Sequence, residues 1–434
     1  MENMFTNFWQ KNKIILKTGL IGFLILFLLI PTFFIQELVS ERQGRQAEAI
    51  HEVSSKWAGD QTITGPVIGI PYKELVTEQN NTHTVKKWAW LLPSKLDIHS
   101  RVIPEKRHRG IYDVIVYTTE LQIHGSYDSL HLSDLNIPAE NLLWNEAAVF
   151  FDVSDVQGLK EDLVLRFAGS DLNLVPGKFV TEQFKDALGA SLPASIASAH
   201  GPLEFSATVQ LKGTGSLAFV PVGKETRATV ASSWGNPSFN GGFLPDVRTV
   251  KDSGFTAEWK ILYLNRKYPQ QWKDETHELG GSAFGVSLIV PVDSYQQTTR
   301  SVKYAILIIL LTFTAFLLIE WVYNRALHSF QYVLVGLALC LFYTLLLSFS
   351  EYIGFNQAYL VAAVATIGLI TWYVKSILQS GKMAAFIFFL LGVQYGFIFI
   401  LIQLQDYALL MGSIALFITL GIVMYFSRKI RWNQ

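Results

Sequence analysis

The chain has 434 residues, half of them hydrophobic and 13% aromatic, with 16% charged, against roughly 25% charged in an average soluble domain. Its charges are unevenly spread: residues 36–300 hold 25 Lys+Arg and 31 Asp+Glu, a net of −6, and the rest holds 10 basic and 4 acidic residues. The mild acidity excludes a nucleic-acid surface, which needs a concentrated basic face, and the single cysteine, Cys340, excludes an intrachain disulfide.

The first apolar stretch, Thr18 to Ile35, is uncharged and long enough to cross a hydrocarbon core of roughly 30 Å. It ends in Phe33-Phe34-Ile35-Gln36-Glu37-Leu38, without the small-x-small site of a cleaved signal peptide. We read an uncleaved signal anchor over 18–38, with Pro31 expected to kink or close its helix. The charged run Glu41–Lys56 continues as helix.

Between residues 60 and 300, period-2 alternation predicts strands. Phe255, Ala257, Trp259, Ile261 and Tyr263 alternate with Thr256, Glu258 and Lys260. Tyr112–Tyr117, Leu121–His124, Glu204–Leu211, Ser216–Val220, Thr226–Ser232 and Ala283–Val292 read as further strands, and Thr181–Gly189 as a short helix. The expected fold is a large antiparallel β-rich domain, a sandwich or two smaller sheets, over residues 39–300.

The apolar signal then returns. Spans are expected at Tyr304–Tyr323, Gln331–Phe349, Tyr359–Ser376, Ala384–Leu404 and Leu409–Phe426, a five-helix bundle over 304–426 that brings the total to six transmembrane helices. Lys11, Lys13 and Lys17 precede the first helix, Arg325, Lys375 and Lys382 lie in two short linkers, and Arg428, Lys429 and Arg431 follow the last helix. The linkers around Glu351 and Asp406 carry no Lys or Arg. The positive-inside rule therefore predicts cytoplasmic termini (1–17 and 427–434) and an extracytoplasmic β domain.

Motifs for chemistry are sparse. The nine histidines form no HxxxH or HExxH, no G-x-S-x-G elbow exists, and Gly213-Thr214-Gly215 lacks the rest of a phosphate loop. The expectation is a non-enzymatic protein with no catalytic, cofactor-binding or metal residues. Lys106-Arg107-His108-Arg109 reads as a solvated strand end, with a lipid head group or acidic partner as the sharper alternative. The loop Ser232–Pro245 is a candidate binding platform through Trp234, Pro237, Phe239 and Phe243, or else a plug of its own sandwich. Within the membrane segments Glu320, Glu351 and Gln394 are the candidate polar groups, because an unpaired charge there costs roughly 2.5 kcal/mol or more. Arg325 is the expected partner of Glu320, and interhelical hydrogen bonding the simplest role for Gln394.

Several long stretches carry a resemblance. Arg42-Gln43 through Glu52-Val53-Ser54-Ser55-Lys56-Trp57, Thr64-Gly65-Pro66-Val67 with Pro71-Tyr72, and Arg109-Gly110-Ile111-Tyr112 with Val116-Tyr117 are three of them. The Ser233–Pro245 loop, Pro291–Gln296, Phe330–Leu339 and Ser350-Glu351-Tyr352-Ile353-Gly354-Phe355 are the others. The chain resembles, through nearly its whole length, the CreD family of bacterial inner-membrane proteins. The resemblance implies a role in cell-envelope integrity linked to a CreBC-type two-component response, with no catalytic residues to carry over. The expected partners are the lipid bilayer and an envelope protein, lipid or peptidoglycan-related component. The rival expectations are a transporter or lipid-handling protein working through Glu320 and Glu351, and last a cell-wall or lipid hydrolase.

Overall fold

The computed structural model describes residues 13–427, apart from 79–80, 129, 131, 133–134, 199–200, 274–275, 289–293, 324–326 and 405–407. The chain divides into two compact units, one of Met1–Ala47 with Val292–Gln434 and one of Glu48–Pro291.

The first unit is helical. Helix α1 (Lys13–Trp57) runs unbroken through Pro31, so the proline neither closes the helix nor separates it from the charged run. A proline removes one N–H, and in lipid the freed carbonyls must find donors nearby. Pro31 leaves Phe27 O without its helical donor; close by, Thr32 Oγ1 donates to Leu29 O at 2.8 Å and the Cys340 thiol approaches Leu28 O at 3.8 Å. Ile21, Leu24, Leu28, Ile35 and Val39 are buried at helical spacing along one side of α1, the stripe that packs into the bundle.

Next come α2 (Ser294–Lys303), α3 (Ala305–Tyr323), α4 (Ser329–Ile353), α5 (Phe355–Leu378), α6 (Gly381–Gln403) and α7 (Ala408–Ser427). Among the described residues four helices are long and apolar enough to cross a membrane (Lys17–Trp57, α4, α5 and α6), or five if α2 and α3, which meet at a 40° bend, form one span. Sequence periodicity missed α2, a ten-residue amphipathic helix whose Tyr295, Thr298, Ser301 and Val302 are buried. No loop separates α4 from α5. Gly354 alone joins them at φ 78°, a conformation that a side chain would strain. Gly336 on α4 admits α1 closely, since a Cβ there would meet Leu28 and Phe313.

The second unit is built from two sheets. The nine-stranded sheet runs Pro237–Gly241, Phe284–Leu288, Ser216–Phe219, Gln61–Glu78, Ala148–Val153, Leu188–Ser191, Val175–Pro176, with Asn81–Leu91 folded back on Gln61–Glu78 and Gln271–Lys273 beside it. The eight-stranded sheet runs Val247–Lys251, Gly254–Leu262, Glu225–Ser232, Lys95–Arg109, Tyr112–Tyr127, Leu203–Thr214, Val164–Phe167, Ser170–Asn173. Residues 112–127 form one strand where two were expected. Pairing is mostly antiparallel, as expected, with two exceptions. Gln61–Ile63 runs parallel to Leu217–Phe219, and Lys95–Val102 parallel to Glu225–Ser232. Both pairs join strands far apart in the chain, so the long crossover that parallel pairing needs is present.

Buried side chains from both sheets share one core, with Ile98, Leu121, Ile123, Phe150, Val209, Phe219, Trp259 and Phe284 among its members. Phe150 is its aromatic hub, with Trp90 at 5.1 Å, Phe184 at 5.4 Å and Trp88 at 5.7 Å between ring centroids. The helix expected over Thr181–Gly189 does not form: bends there lead into the strand Leu188–Ser191. Thr181 Oγ1 instead accepts from Phe184 N at 2.9 Å, a local bond that competes with helix formation, and Phe184 docks on Phe150.

Candidate functional site

Both candidate glutamates of the helical unit are held by basic residues of α1. Lys17 forms an ion pair with Glu320 on α3 and donates to Leu327 O at 2.8 Å, and Tyr332 Oη donates to Glu320 Oε2 at 3.3 Å. Arg325, the partner expected from sequence, lies outside the described residues. On α4, Glu351 accepts from Tyr295 Oη at 3.1 Å and lies 3.7 Å from Arg42 Nε. The two carboxylates are only 11% and 10% exposed. Lys17 and Arg42 are 25 residues apart on one helix, about 37 Å at 1.5 Å per residue. A hydrocarbon core is roughly 30 Å thick. The two ion pairs thus sit where the ends of a membrane-spanning segment would be, and each fastens α1 to another helix. Sequence spacing could not reveal these partners, because Lys17 and Glu320 stand 303 positions apart.

Gln394 lies between these levels. Its Oε1 accepts from Thr312 Oγ1 at 3.2 Å, an interhelical bond between α6 and α3. Its Nε2, Tyr343 Oη and Tyr395 Oη have no hydrogen-bond partner among the described residues. Phe313, Leu339, Ile387 and Leu391, all fully buried, fill the levels between this group and Glu320.

In the β unit the loop candidates are spent largely on packing. Pro237–Gly241 is an edge strand paired with Phe284–Leu288. Phe239 packs edge-on against Phe255 and Trp259, with centroids at 5.6 and 5.9 Å, and Phe243 against Phe284 at 6.4 Å. Trp234 is half-buried and packs on the same core; its Nε1 donates to Asn236 O at 3.1 Å. Of the loop's large apolar groups, Leu244 is exposed.

The basic strand end is tied down as well. Lys106 and His108 both pair with Asp113. Arg109 makes a bidentate contact with Glu52 at 2.6 and 2.8 Å. Arg107 and Lys212 lie over the Trp57 ring at 3.9 and 4.9 Å. Hydrogen bonds from Lys56 first, then Arg109, hold the Glu52 carboxyl below its usual range. The buried Arg266, 7% exposed, donates to the carbonyls of Tyr268 and Pro269. Burial lowers its pKa to about 10, so it remains charged at neutral pH and serves as a staple for the turn.

Sequence reasoning missed the exposed face of the eight-stranded sheet. Two shallow clefts adjoin there. One of about 530 Å³ is lined by His99, Arg101, Gln122, Lys160 and Gln210. The other, of about 600 Å³, is lined by Arg101, Ile103, Ser232, Thr249 and Lys251. The signal in the sequence was faint: every second residue of Lys95–Arg109 points out, and outward residues on a strand are polar by default. Among the described residues no group of three or more His, Cys, Asp or Glu could hold a metal ion.

The comparisons with known proteins agree on one family. The family described as inner membrane protein CreD matches residues 13–433. This chain belongs to the CreD family. The inner membrane protein CreD of Escherichia coli (strain K12) is 32% identical to it over 435 residues, covering 98% of this chain and 93% of that protein. The CreD family is named for its place in the inner membrane and not for an enzymatic reaction. A membrane protein with several apolar helices and a large β-rich unit is what this chain presents.

Proposed function

We propose that this CreD-family chain is a non-enzymatic protein of envelope maintenance, linked to a CreBC-type two-component response. In this reading six helices anchor it, with residues 18–38 and 304–426 in the membrane, both termini in the cytoplasm and residues 39–300 in the periplasm. The periplasmic domain binds an envelope component or a partner protein. The observation that carries the anchoring role is the pairing of both membrane glutamates with α1, Lys17 with Glu320 and Arg42 with Glu351. A carboxylate that carries protons or substrate must be free to change partners, whereas these two are fastened at opposite ends of the segment they bracket. The apolar layer of Phe313, Leu339, Ile387 and Leu391 further disfavours a polar route between Gln394 and Glu320.

The topology is tested by cysteine labelling in intact spheroplasts, with Cys340 replaced. A membrane-impermeant thiol reagent is expected to modify a cysteine at Asn240 and to spare one at Gln379 until the cells are lysed. Modification at Gln379 without lysis would overturn the orientation. Co-purification from native membranes, followed by identification of bound lipids, glycans and proteins, tests the binding role. Recovery of the bare chain alone would count against it.

A further inference from the structure

The two clefts on the exposed sheet face meet at Arg101, on the strand Lys95–Arg109 near the middle of the eight-strand order. Arg101 stands opposite Glu120 in the antiparallel register, yet the two form no ion pair; Glu120 Oε1 instead accepts from Gln122 Nε2 at 3.1 Å. Lys160 lines one cleft and Lys251 the other. None of the three cationic side chains has an ion-pair or hydrogen-bond partner among the described residues. Several other basic groups on this unit are engaged, as in Lys86 with Glu146, Lys87 with Glu74, Arg109 with Glu52 and Arg227 with Glu225. A domain region of net charge −6 thus keeps a trough with three unpaired cations against one engaged carboxylate.

Between the cations lie hydroxyl and amide groups, with His99 in one cleft and the exposed Ile103 in both. Gln122 and Gln210 lie on one side of Arg101, and Thr229, Ser232, Thr249 and Thr256 on the other. Val247–Lys251 and Leu203–Thr214, the strands that carry Thr249 and Gln210, are five strand spacings apart in the sheet. At roughly 4.8 Å per spacing the trough is about 24 Å across. The ligand it fits is therefore extended, rich in hydroxyl groups and anionic. A planar guanidinium at the centre suits a carboxylate, which it can bind bidentately, and the Ser, Thr and Gln groups suit sugar hydroxyls. We propose that this face binds a carboxylate-bearing glycan strand, with Arg101 on a carboxylate and Lys160 and Lys251 on charges to either side. The proposal rests on the reading of the periplasmic domain as a binding module and names its ligand class.

The test uses the full chain in detergent at low ionic strength and isothermal calorimetry with an oligogalacturonate, a neutral malto-oligosaccharide and polyglutamate. Binding of the oligogalacturonate is expected, weakening about tenfold or more in Arg101→Ala, as for loss of a charge-assisted contact, and falling as salt is raised. The malto-oligosaccharide should not bind. Arg101 is exposed, so an unchanged unfolding temperature separates a lost contact from a lost fold. Equal affinity in Arg101→Ala, tighter binding of polyglutamate than of the oligogalacturonate, or no binding of the oligogalacturonate would each overturn the glycan assignment. Failure of the broader reading shows separately: a gene encoding Arg101→Glu with Lys160→Glu that fully restores envelope tolerance would mean that this face serves no binding role.

Discussion

Two pairs of buried tyrosines, one in each unit, fare differently. In the β unit Tyr117 Oη donates to Ser216 O at 2.6 Å and Tyr127 Oη to Pro66 O at 2.9 Å. In the helical unit Tyr343 and Tyr395, just as buried, have hydroxyls with no partner among the described residues. The cause is the backbone. The strand Gln61–Glu78 shifts register against Ala148–Val153 between Thr64 and Val67, and such an irregularity leaves a carbonyl that a distant hydroxyl can satisfy. Inside a helix nearly every carbonyl is taken by the N–H four residues on. Some hydroxyls there turn to other side chains, as Thr312 does to Gln394, Tyr332 to Glu320 and Tyr295 to Glu351, while Tyr359 Oη reaches a helix carbonyl, Tyr395 O, at 2.7 Å. Polar groups in the sheet unit lock irregular backbone, and those in the helical unit lock helix to helix.

The largest effect expected concerns the sheet core. Phe150→Ala removes a fully buried ring in contact with Trp88, Trp90 and Phe184, and should destabilise the β unit by about 3–5 kcal/mol. Chemical unfolding followed by tryptophan fluorescence would show it, and a change below about 1 kcal/mol would mean that the ring is not a hub.

The tyrosine contrast itself comes next. Tyr127→Phe leaves Pro66 O buried without its donor and should cost about 1–3 kcal/mol. Tyr343→Phe removes an unpaired hydroxyl and should leave thermal stability in detergent unchanged or slightly raised. Equal losses from both changes would erase the difference between the units.

A third effect is smaller. A double-mutant cycle with Lys17→Met and Glu320→Gln should give a coupling of about 1 kcal/mol, between the values for exposed pairs and for fully buried ones. Zero coupling would remove the clamp.

The smallest concerns pH. Burial, then the neighbouring Asp186, raises the Asp152 carboxyl above its usual value. A raised carboxyl favours folding while protonated, and that contribution fades as pH rises through the folded value. Asp152→Asn should therefore stabilise the protein modestly at pH 7, the gain shrinking towards about pH 4, as thermal unfolding against pH would record. A gain that grows on acidification would reverse the sign.

The strands were legible in sequence where one face is buried, because a period of two leaves a written trace. Phe255, Ala257, Trp259 and Ile261 are all buried and their neighbours exposed. The long apolar helices were legible through length alone. Less could be read at the joins. Pro31 was expected to kink or close the helix because its cost is local, while the Cys340 contact to Leu28 O and the packing of Leu28 are tertiary. Helix α2 was missed because its buried positions are Thr and Ser as well as Tyr and Val. For the site, Glu320, Glu351 and Gln394 stood out as polar groups in apolar runs. Their partners did not, since Lys17 and Arg42 read as orientation signals and helix surface. Arg101 gave no signal, because an outward arginine on a strand is ordinary until the sheet shows what lies beside it.

The central claim is that the bundle anchors while the β unit acts, and complementation of a strain lacking the gene tests it most directly. Glu320→Gln and Glu351→Gln, each expressed at the normal level, keep the side-chain shape and much of the hydrogen bonding but cannot carry a proton. Both are predicted to restore tolerance of envelope stress, while Arg101→Ala with Lys160→Ala on the exposed sheet face does not. Loss of tolerance in either glutamine variant, with the sheet-face variant fully active, would contradict the account and favour transport through the bundle.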